Sequence, residues 1–197
     1  ILEVENIRNQ VTILERIMGA LYACLPSALS LRLLGSGDSI ENVVTIIFSS
    51  GSTGVPKGVK LTHGNILANL ESLRQIGSIG SGDRLMAILP FFNSFGYTGG
   101  LWMPVVLGTG ACYHYKPMDG KTIGKMMDQW EGSVLIGTPT FFRIYTRTCR
   151  EEQFRHLRFP VCGAEKLKKP VAEAFHEKFG IWPLEGYGCT EMAPVIS

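Results

Sequence analysis

The sequence lacks a strong net charge. Its 19 Lys and Arg residues nearly balance 17 Asp and Glu residues, which gives a formal net charge of +2 at pH 7. A nucleic-acid-binding domain normally has a strongly basic face. The composition therefore gives no support for a nucleic-acid partner.

The sequence also lacks paired cysteines. Five are present, an odd number, and no two of them form a Cys-x-x-Cys pair. This argues against a disulfide framework or zinc site and favours reduced thiols of the cytosolic kind. We expect all five to be small buried residues. They are Cys24, Cys112, Cys149, Cys162 and Cys189.

Neither a secretory signal nor a membrane span is evident. Glu3, Glu5 and Arg8 interrupt the start of the sequence, where a signal peptide would carry an apolar run. Residues 85–115 contain no Asp, Glu, Lys or Arg, and a spanning helix needs about 20 apolar residues. Repeated Pro and Gly residues break this stretch, so we predict a strand, a loop, a helix and a strand within a globular domain.

Short apolar runs alternate with helical patterns from residue 42 onward. This alternation predicts an α/β layered domain in which a largely parallel sheet is flanked by helices. We expect 42–50 to be a buried strand, because it is apolar and β-branched. The other predicted strands are 59–61, 84–89, 111–115, 133–136, 157–162 and 182–185. The predicted helices are 63–76, 97–107, 121–130, 138–148 and 168–179.

The chain divides at residue 41. Residues 1–41 form an amphipathic, mostly helical segment that Pro26 interrupts, and residues 42–197 form the main domain. Strand partners for the first segment are not evident, and the last residues follow a glycine-rich loop directly. We therefore expect the chain to be a piece of a longer protein.

The stretch FSSGSTGVPKGVK, residues 48–60, predicts a polyphosphate site. Its glycines allow backbone N–H groups to converge on one anion, and its hydroxyls add further donors. Lys57 adds a mobile positive charge. The spacing between Gly54 and Lys57 differs from that of the P-loop of NTP hydrolases.

The same stretch resembles the signature loop of the AMP-forming adenylating enzymes. Three more segments resemble that family in its order: LPFFNSFG at 89–96, CGAEKL at 162–167 and EGYGCTE at 185–191. The resemblance implies part of the large N-terminal, AMP-binding domain of the adenylate-forming fold, with the small C-terminal domain absent. The family's ribose-binding aspartate, hinge and catalytic lysine lie downstream, so we expect the 197-residue chain alone to be inactive.

The resemblance implies a ligase that uses ATP and Mg²⁺. A carboxylate attacks the α-phosphorus of ATP, pyrophosphate leaves, and the acyl-adenylate then reacts with the thiol of coenzyme A or an acyl-carrier protein. An anion must approach a polyanion, so catalysis depends on positioning and on charge neutralisation.

The resemblance also assigns roles to residues. Lys57, Thr190 and Glu191 are the implied catalytic residues; Thr190 contacts the α-phosphate and Glu191 binds Mg²⁺. Tyr187 stacks on adenine. The other implied nucleotide-binding residues are Ser49, Ser50, Gly51, Ser52, Thr53, Gly54, Gly163 and Ala164. The implied substrate residues are Phe92, Asn93 and Gly96.

Asn93 departs from the family, which usually has His at this position beside the acyl site. Asn forms hydrogen bonds but carries no charge at pH 7. We expect Asn93 still to line the path of the carboxylate. A non-catalytic module that kept the fold is an alternative that only this departure favours.

The segment after Pro90 is aromatic and small, which suits an apolar acyl channel. It is similar to fatty-acyl synthetases, above all to the acyl–acyl-carrier-protein synthetase portion of bacterial acylglycerophosphoethanolamine acyltransferases. A fatty acid is the expected substrate, and an aryl acid or amino acid is the alternative. The likeness implies a cytoplasmic protein, or one at the inner face of the membrane, where the apolar 13–34 segment would suit peripheral association.

Overall fold

A computed structural model describes residues 11–26, 29, 39–49 and 55–197. The chain forms two compact units, Ile1–Ser39 and Ile40–Ser197. In the first unit, α1 (Ile13–Ala23) begins with a capping box, in which Thr12 and Glu15 each accept a hydrogen bond from the other's backbone N–H. The apolar side chains of α1 are exposed, Ile13 by 77%. Within the described ranges no helix is both long enough and apolar enough to span a bilayer.

The second unit alternates strands and helices, as predicted. Its elements are, in order, β1 (Val43–Ser49), β2 (Lys57–Thr62), α2 (His63–Gly77), β3 (Arg84–Ala87), α3 (Ser94–Gly96), a π-helix (Tyr97–Trp102), α4 (Met103–Leu107), β4 (Gly110–Tyr113), α5 (Gly120–Gln129), β5 (Val134–Gly137), α6 (Pro139–Thr148), a 3₁₀ turn (Glu151–Phe154), β6 (Phe159–Cys162), α7 (Lys169–Phe179), β7 (Leu184–Glu185) and a second 3₁₀ turn (Thr190–Met192).

Five strands form one parallel sheet in the order β4–β3–β5–β6–β7. Both faces of the sheet are covered, as parallel sheets require. On one face, Met86 and Ile88 join a core cluster with side chains of α5, α6 and α7. On the other face, Leu85 and Ala87 join a cluster with side chains of α2 and α4. The expected layered α/β fold is confirmed.

The chain reverses its direction of travel across the sheet at β3. The helices that follow β3 cover one face, whereas α6, which follows β5, covers the other. The connections after two neighbouring strands therefore leave toward opposite faces. Such a switch point opens a crevice at the carboxyl ends of the strands, which is where ligands bind in open α/β sheets.

We predicted a buried strand at 42–50. The strand is present, but the prediction that it is buried is wrong. β1 pairs antiparallel with β2 in a separate two-stranded sheet. Within β1 only Ile47 is buried, and Phe48 is 72% exposed. Ile47 and Leu61 pack together with Ala193. An apolar β-branched run has the same sequence pattern in a hairpin and in a central strand, so the pattern alone did not separate them.

The cysteines are free, but only two of the five are buried. Cys149 and Cys162 lie in the core, whereas Cys24 and Cys189 are exposed, contrary to expectation. Burial raises the pKa of Cys162 to about 12, and the negative charges of Glu165 and Glu185 add to the increase. Burial is also the main cause of a raised pKa at Cys149.

Asp83 joins three segments below the amino ends of the strands. It is 2% exposed. Its carboxylate accepts hydrogen bonds from the Ser133 hydroxyl at 2.8 Å, the Arg158 guanidinium at 2.9 Å and the Gly80 backbone N–H at 3.1 Å. A buried carboxylate is tolerated only when it is paired and hydrogen-bonded in this way.

We expect Asp83→Ala to lower the free energy of unfolding by about 2–4 kcal/mol, because it leaves the buried Ser133 hydroxyl and two further donors without their acceptor. Urea denaturation measures this loss. Glu131→Gln is the matched control, since it weakens an exposed ion pair with Arg84 and should cost no more than about 0.5 kcal/mol. Equal losses in the two variants would contradict the role of Asp83.

Candidate functional site

A cavity of about 500 Å³ lies along the sheet and opens at the crevice. Along β5 and β6 and the residue after each, every second residue lines it, which places these side chains on one sheet face. From β5 these residues are Val134, Ile136 and Thr138, and from β6 they are Phe159, Val161 and Gly163. At β7 and the loop after it, the whole segment 184–190 lines the cavity. The cavity is therefore a channel that runs parallel to the strands beneath α2.

The mouth of the channel is polar. Asn93, Ser94 and Thr190 line it together with the exposed Tyr187. The buried Ser94 hydroxyl donates to the Thr190 hydroxyl at 3.3 Å, which joins the loop after β3 to the last described turn. The fold thus brings together residues that are almost a hundred positions apart, from two of the four segments that carried the resemblance.

Asn93 both lines the channel and caps a helix. Its Oδ1 accepts a hydrogen bond from the Gly96 backbone N–H at 2.7 Å. This is the role that Asn fills at helix N-termini. Its amide nitrogen donates none of the hydrogen bonds recorded among the described residues, so that donor is left for a ligand.

Gly96 and Phe92 do not line the channel. A Cβ on Gly96 would overlap the carbonyl oxygen of Pro90, so the glycine lets α3 pack closely against the backbone that follows β3. Phe92 is 79% exposed. Phe95, which the sequence analysis did not single out, contributes the aromatic ring of this segment instead.

The turn that carries Thr190 and Glu191 is held by hydrogen bonds from two helices. From α2, the Asn69 amide donates to the Met192 and Val195 carbonyls at 3.2 and 2.7 Å and accepts from the Val195 N–H at 3.4 Å. From the π-helix, the Thr98 hydroxyl donates to the Ala193 carbonyl at 3.0 Å. These bonds fix the backbone that directly follows the two implied catalytic residues.

Gly163 and Gly188 let backbone segments approach one another at the mouth. A Cβ on Gly188 would overlap the Pro194 carbonyl, and one on Gly163 would lie 3.2 Å from the ring of Phe95. Ala164 has a positive φ of 64° and is exposed. Glu165 is bonded to the Thr140 hydroxyl at 2.7 Å. Open backbone beside an exposed Tyr187 fits a flat ring such as adenine.

Ser49 and Lys57 face each other at the end of the β1–β2 ladder. The loop between them begins where the ladder ends, and its predicted phosphate-binding residues lie outside the described residues: Ser50, Gly51, Ser52, Thr53 and Gly54. The hairpin packs on Ala193 through Ile47 and Leu61, so it shares a cluster with the turn that carries Glu191.

Glu191 is exposed on this turn. In the part of the chain that the structure describes, no three His, Cys, Asp or Glu side chains form a metal site. A lone carboxylate fits Mg²⁺ all the same, because this ion uses one or two carboxylates and takes its other ligands from substrate phosphates and water.

The family model of the AMP-binding enzymes matches residues 12–197. The chain belongs to the AMP-binding enzyme family. The family is the AMP-forming adenylating superfamily that the four segments indicated. The expected special closeness to the acylglycerophosphoethanolamine acyltransferases is not shown.

Curated relatives in this family act on different acids. A long-chain-fatty-acid–CoA ligase of Haemophilus influenzae is 30% identical over 166 residues, which are 81% of this chain and 30% of the relative. A feruloyl-CoA synthase of an Amycolatopsis species is 27% identical over 159 residues, 80% of this chain and 32% of the relative. The chain thus spans about 30% of the length of the curated relatives it matches.

Solved structures share the fold. ATP-bound MatB from Rhodopseudomonas palustris aligns with a TM-score of 0.71 at 26% identity. The alignment covers 80% of this chain and 31% of the MatB chain. MenE from Bacillus subtilis, in complex with ATP and magnesium ion, aligns with a TM-score of 0.72 at 25% identity over 80% of this chain and 32% of its own. A structure from work on fatty acyl-adenylate ligases of E. coli and L. pneumophila aligns with a TM-score of 0.71 at 25% identity. The alignment covers 80% of this chain and 31% of the ligase chain.

Sequence reasoning missed Thr138 and Asn69. Thr138 lines the channel, and its buried hydroxyl has no partner among the described residues. The sequence could have indicated Thr138, because it is the first residue after a buried strand, where ligand-binding side chains often lie. Asn69 gave no local signal, because its partners lie 123 and 126 positions away.

We expect Asn69→Ala to increase amide hydrogen exchange in residues 188–196, because the Val195 N–H loses its acceptor and two carbonyls lose their donor. Exchange followed by mass spectrometry measures this directly. Ser72→Ala on the same helix is the control, since the Ser72 hydroxyl bonds only within α2. Unchanged exchange in Asn69→Ala would show that the turn is held by other contacts.

Proposed function

We propose that the protein is an AMP-forming fatty acid ligase, which activates a fatty acid as its acyl-adenylate and transfers the acyl group to coenzyme A or to an acyl-carrier protein. The observation that carries the proposal is the channel. It joins a polar mouth beside Thr190 and Tyr187 to an apolar interior on the face of the sheet. A carboxylate at the mouth and an alkyl chain inside match this change of polarity.

The channel has room for an extended acyl chain. It follows β5 from Val134 to Thr138, which is about 13 Å at roughly 3.3 Å per strand residue. Burial of each methylene group contributes about 0.8 kcal/mol, or about a fourfold gain in binding. Affinity should therefore rise with chain length until the channel is full.

At the mouth, the chain's own groups would neutralise and orient the reactants. The loop between Ser49 and Lys57 would hold the β- and γ-phosphates, and Thr190 would bind the α-phosphate. Glu191 would hold Mg²⁺, which supplies positive charge to the phosphate oxygens. Tyr187 would stack on adenine, with the Gly163 and Ala164 backbone on the other side. The free amide of Asn93 would donate to the acid's carboxylate.

A second candidate is an aryl acid ligase. Thr138 favours it, because an unpaired buried hydroxyl in the channel wall would bond a substrate that carries an oxygen. The similarity to a feruloyl-CoA synthase supports the same alternative. A panel of acids separates the two candidates.

We expect ATP–pyrophosphate exchange in the full protein to be driven by fatty acids and to fall about a hundredfold in Lys57→Met, since the lysine stabilises the leaving pyrophosphate. Lys60→Met, an exposed lysine on the same strand, is the matched control and should keep normal exchange. Exchange driven by aryl acids alone would establish the second candidate. Binding of ATP without exchange, for any acid, would indicate a non-catalytic module.

Asn93 gives a test of its two roles. Asn93→Ser keeps a good helix cap, whereas Asn93→Ala loses it at a cost of about 1 kcal/mol. If the amide binds the acid, both variants should raise the KM for the acid about tenfold, and only the alanine variant should lower stability. Acid-dependent exchange and thermal unfolding measure the two effects. Normal KM in Asn93→Ser and in Asn93→His would limit Asn93 to capping.

A further inference from the structure

We propose that Gly77 sets the longest acyl chain that the channel accepts. This inference rests on the proposed function, because it concerns the acyl part of the same site. Gly77 is the last residue of α2 and lines the channel together with Leu73, Ile79 and Phe159. A residue without a side chain at that place lets Ile79 and Phe159 pack closely against α2, which keeps both side chains out of the space that the end of an alkyl chain can occupy.

Gly77 lies at the end of the channel that is opposite the mouth. Phe159, which it approaches, is the first residue of β6, whereas Gly163 at the mouth follows the end of that strand. The two ends are separated by the length of the strand, about 13 Å at roughly 3.3 Å per residue. The end of a long acyl chain would reach Gly77, and a short chain would not.

The backbone does not require glycine at this position. Gly77 is not among the residues with positive φ, and the left-handed residue that ends α2 is Ser78, with φ of 48°. Helices commonly place a glycine at the left-handed position instead. The missing side chain of Gly77 therefore matters for space rather than for backbone conformation.

A side chain at Gly77 would press on residues that line the channel. A Cβ there would lie 3.1 Å from Cγ1 and 3.3 Å from Cδ1 of Ile79, and 3.6 Å from Cε1 of Phe159. All three atoms belong to residues that line the far end. Any larger side chain must displace these atoms, and their displacement into the channel shortens it.

The test compares the chain-length profile of ATP–pyrophosphate exchange in the full protein and in Gly77→Val. We expect the longest accepted fatty acids to lose about tenfold or more in kcat/KM, while short acids keep their values, because a methylene that no longer fits changes discrimination by this much. Gly80→Val is the matched control. Its Cβ would meet nothing within 4 Å, and it does not line the channel.

A second variant acts in the opposite direction. Ile79→Ala removes the side chain nearest to Gly77 and should extend the profile to longer chains. If Gly77→Val does not fold, the profile of Ile79→Ala still tests whether this end of the channel sets the longest accepted chain. Displacement of a bound fluorescent fatty acid by acids of increasing length makes the same comparison by binding alone, without catalysis. We expect the same shifts of the chain-length profile in this assay.

An unchanged profile in both variants, in protein that activates fatty acids, overturns the role of Gly77 and leaves the proposed function intact. If the unmodified protein neither activates nor binds any fatty acid, the proposed function fails and the role of Gly77 fails with it. An equal loss at every chain length in Gly77→Val, with Ile79→Ala unchanged, shows a structural effect and also overturns the proposal.

Discussion

The burial of β3 on both faces is the constraint on which the site depends. Leu85 and Ala87 point to one helical layer, and Met86 and Ile88 point to the other. A strand that is apolar on both faces must be covered by a layer on each side, because no face is left for water. In the sheet, β3 also lies between β4 and β5. With β3 inside, the loops after β3 and β5 diverge and leave the crevice in which the channel begins.

The parallel sheet could be predicted from the sequence because its strands are short apolar runs separated by helical patterns. The position of β1 could not, since an apolar run is compatible with a hairpin such as that of Ile47 and Leu61. The motifs named Asn93, Thr190 and Tyr187, and the fold brings all three to one mouth. The channel behind the mouth has no motif, because its lining residues come from several strands and helices that are far apart in the sequence.

The polar contacts of the site are mostly between distant segments. Asn69, Ser94 and Thr98 each bond the turn at residues 190–195, and each lies on a different element before β4. Such bonds follow from tertiary packing, which local patterns do not encode. The same residues explain why small polar side chains occur within helices, where they would otherwise compete with the backbone for hydrogen bonds.

The cysteines differ in exposure, and this difference allows one thiol beside the site to be labelled selectively. Cys189 is exposed and lines the channel next to Thr190, whereas the pKa of the Cys149 and Cys162 thiols is raised by burial, which suppresses their reactive thiolate form. A bulky alkylating reagent would therefore modify Cys189 in preference to the core thiols. With the exposed Cys24 and the half-buried Cys112 replaced by serine, one label could be attached at the channel mouth, where its fluorescence would report whether the mouth is open or filled.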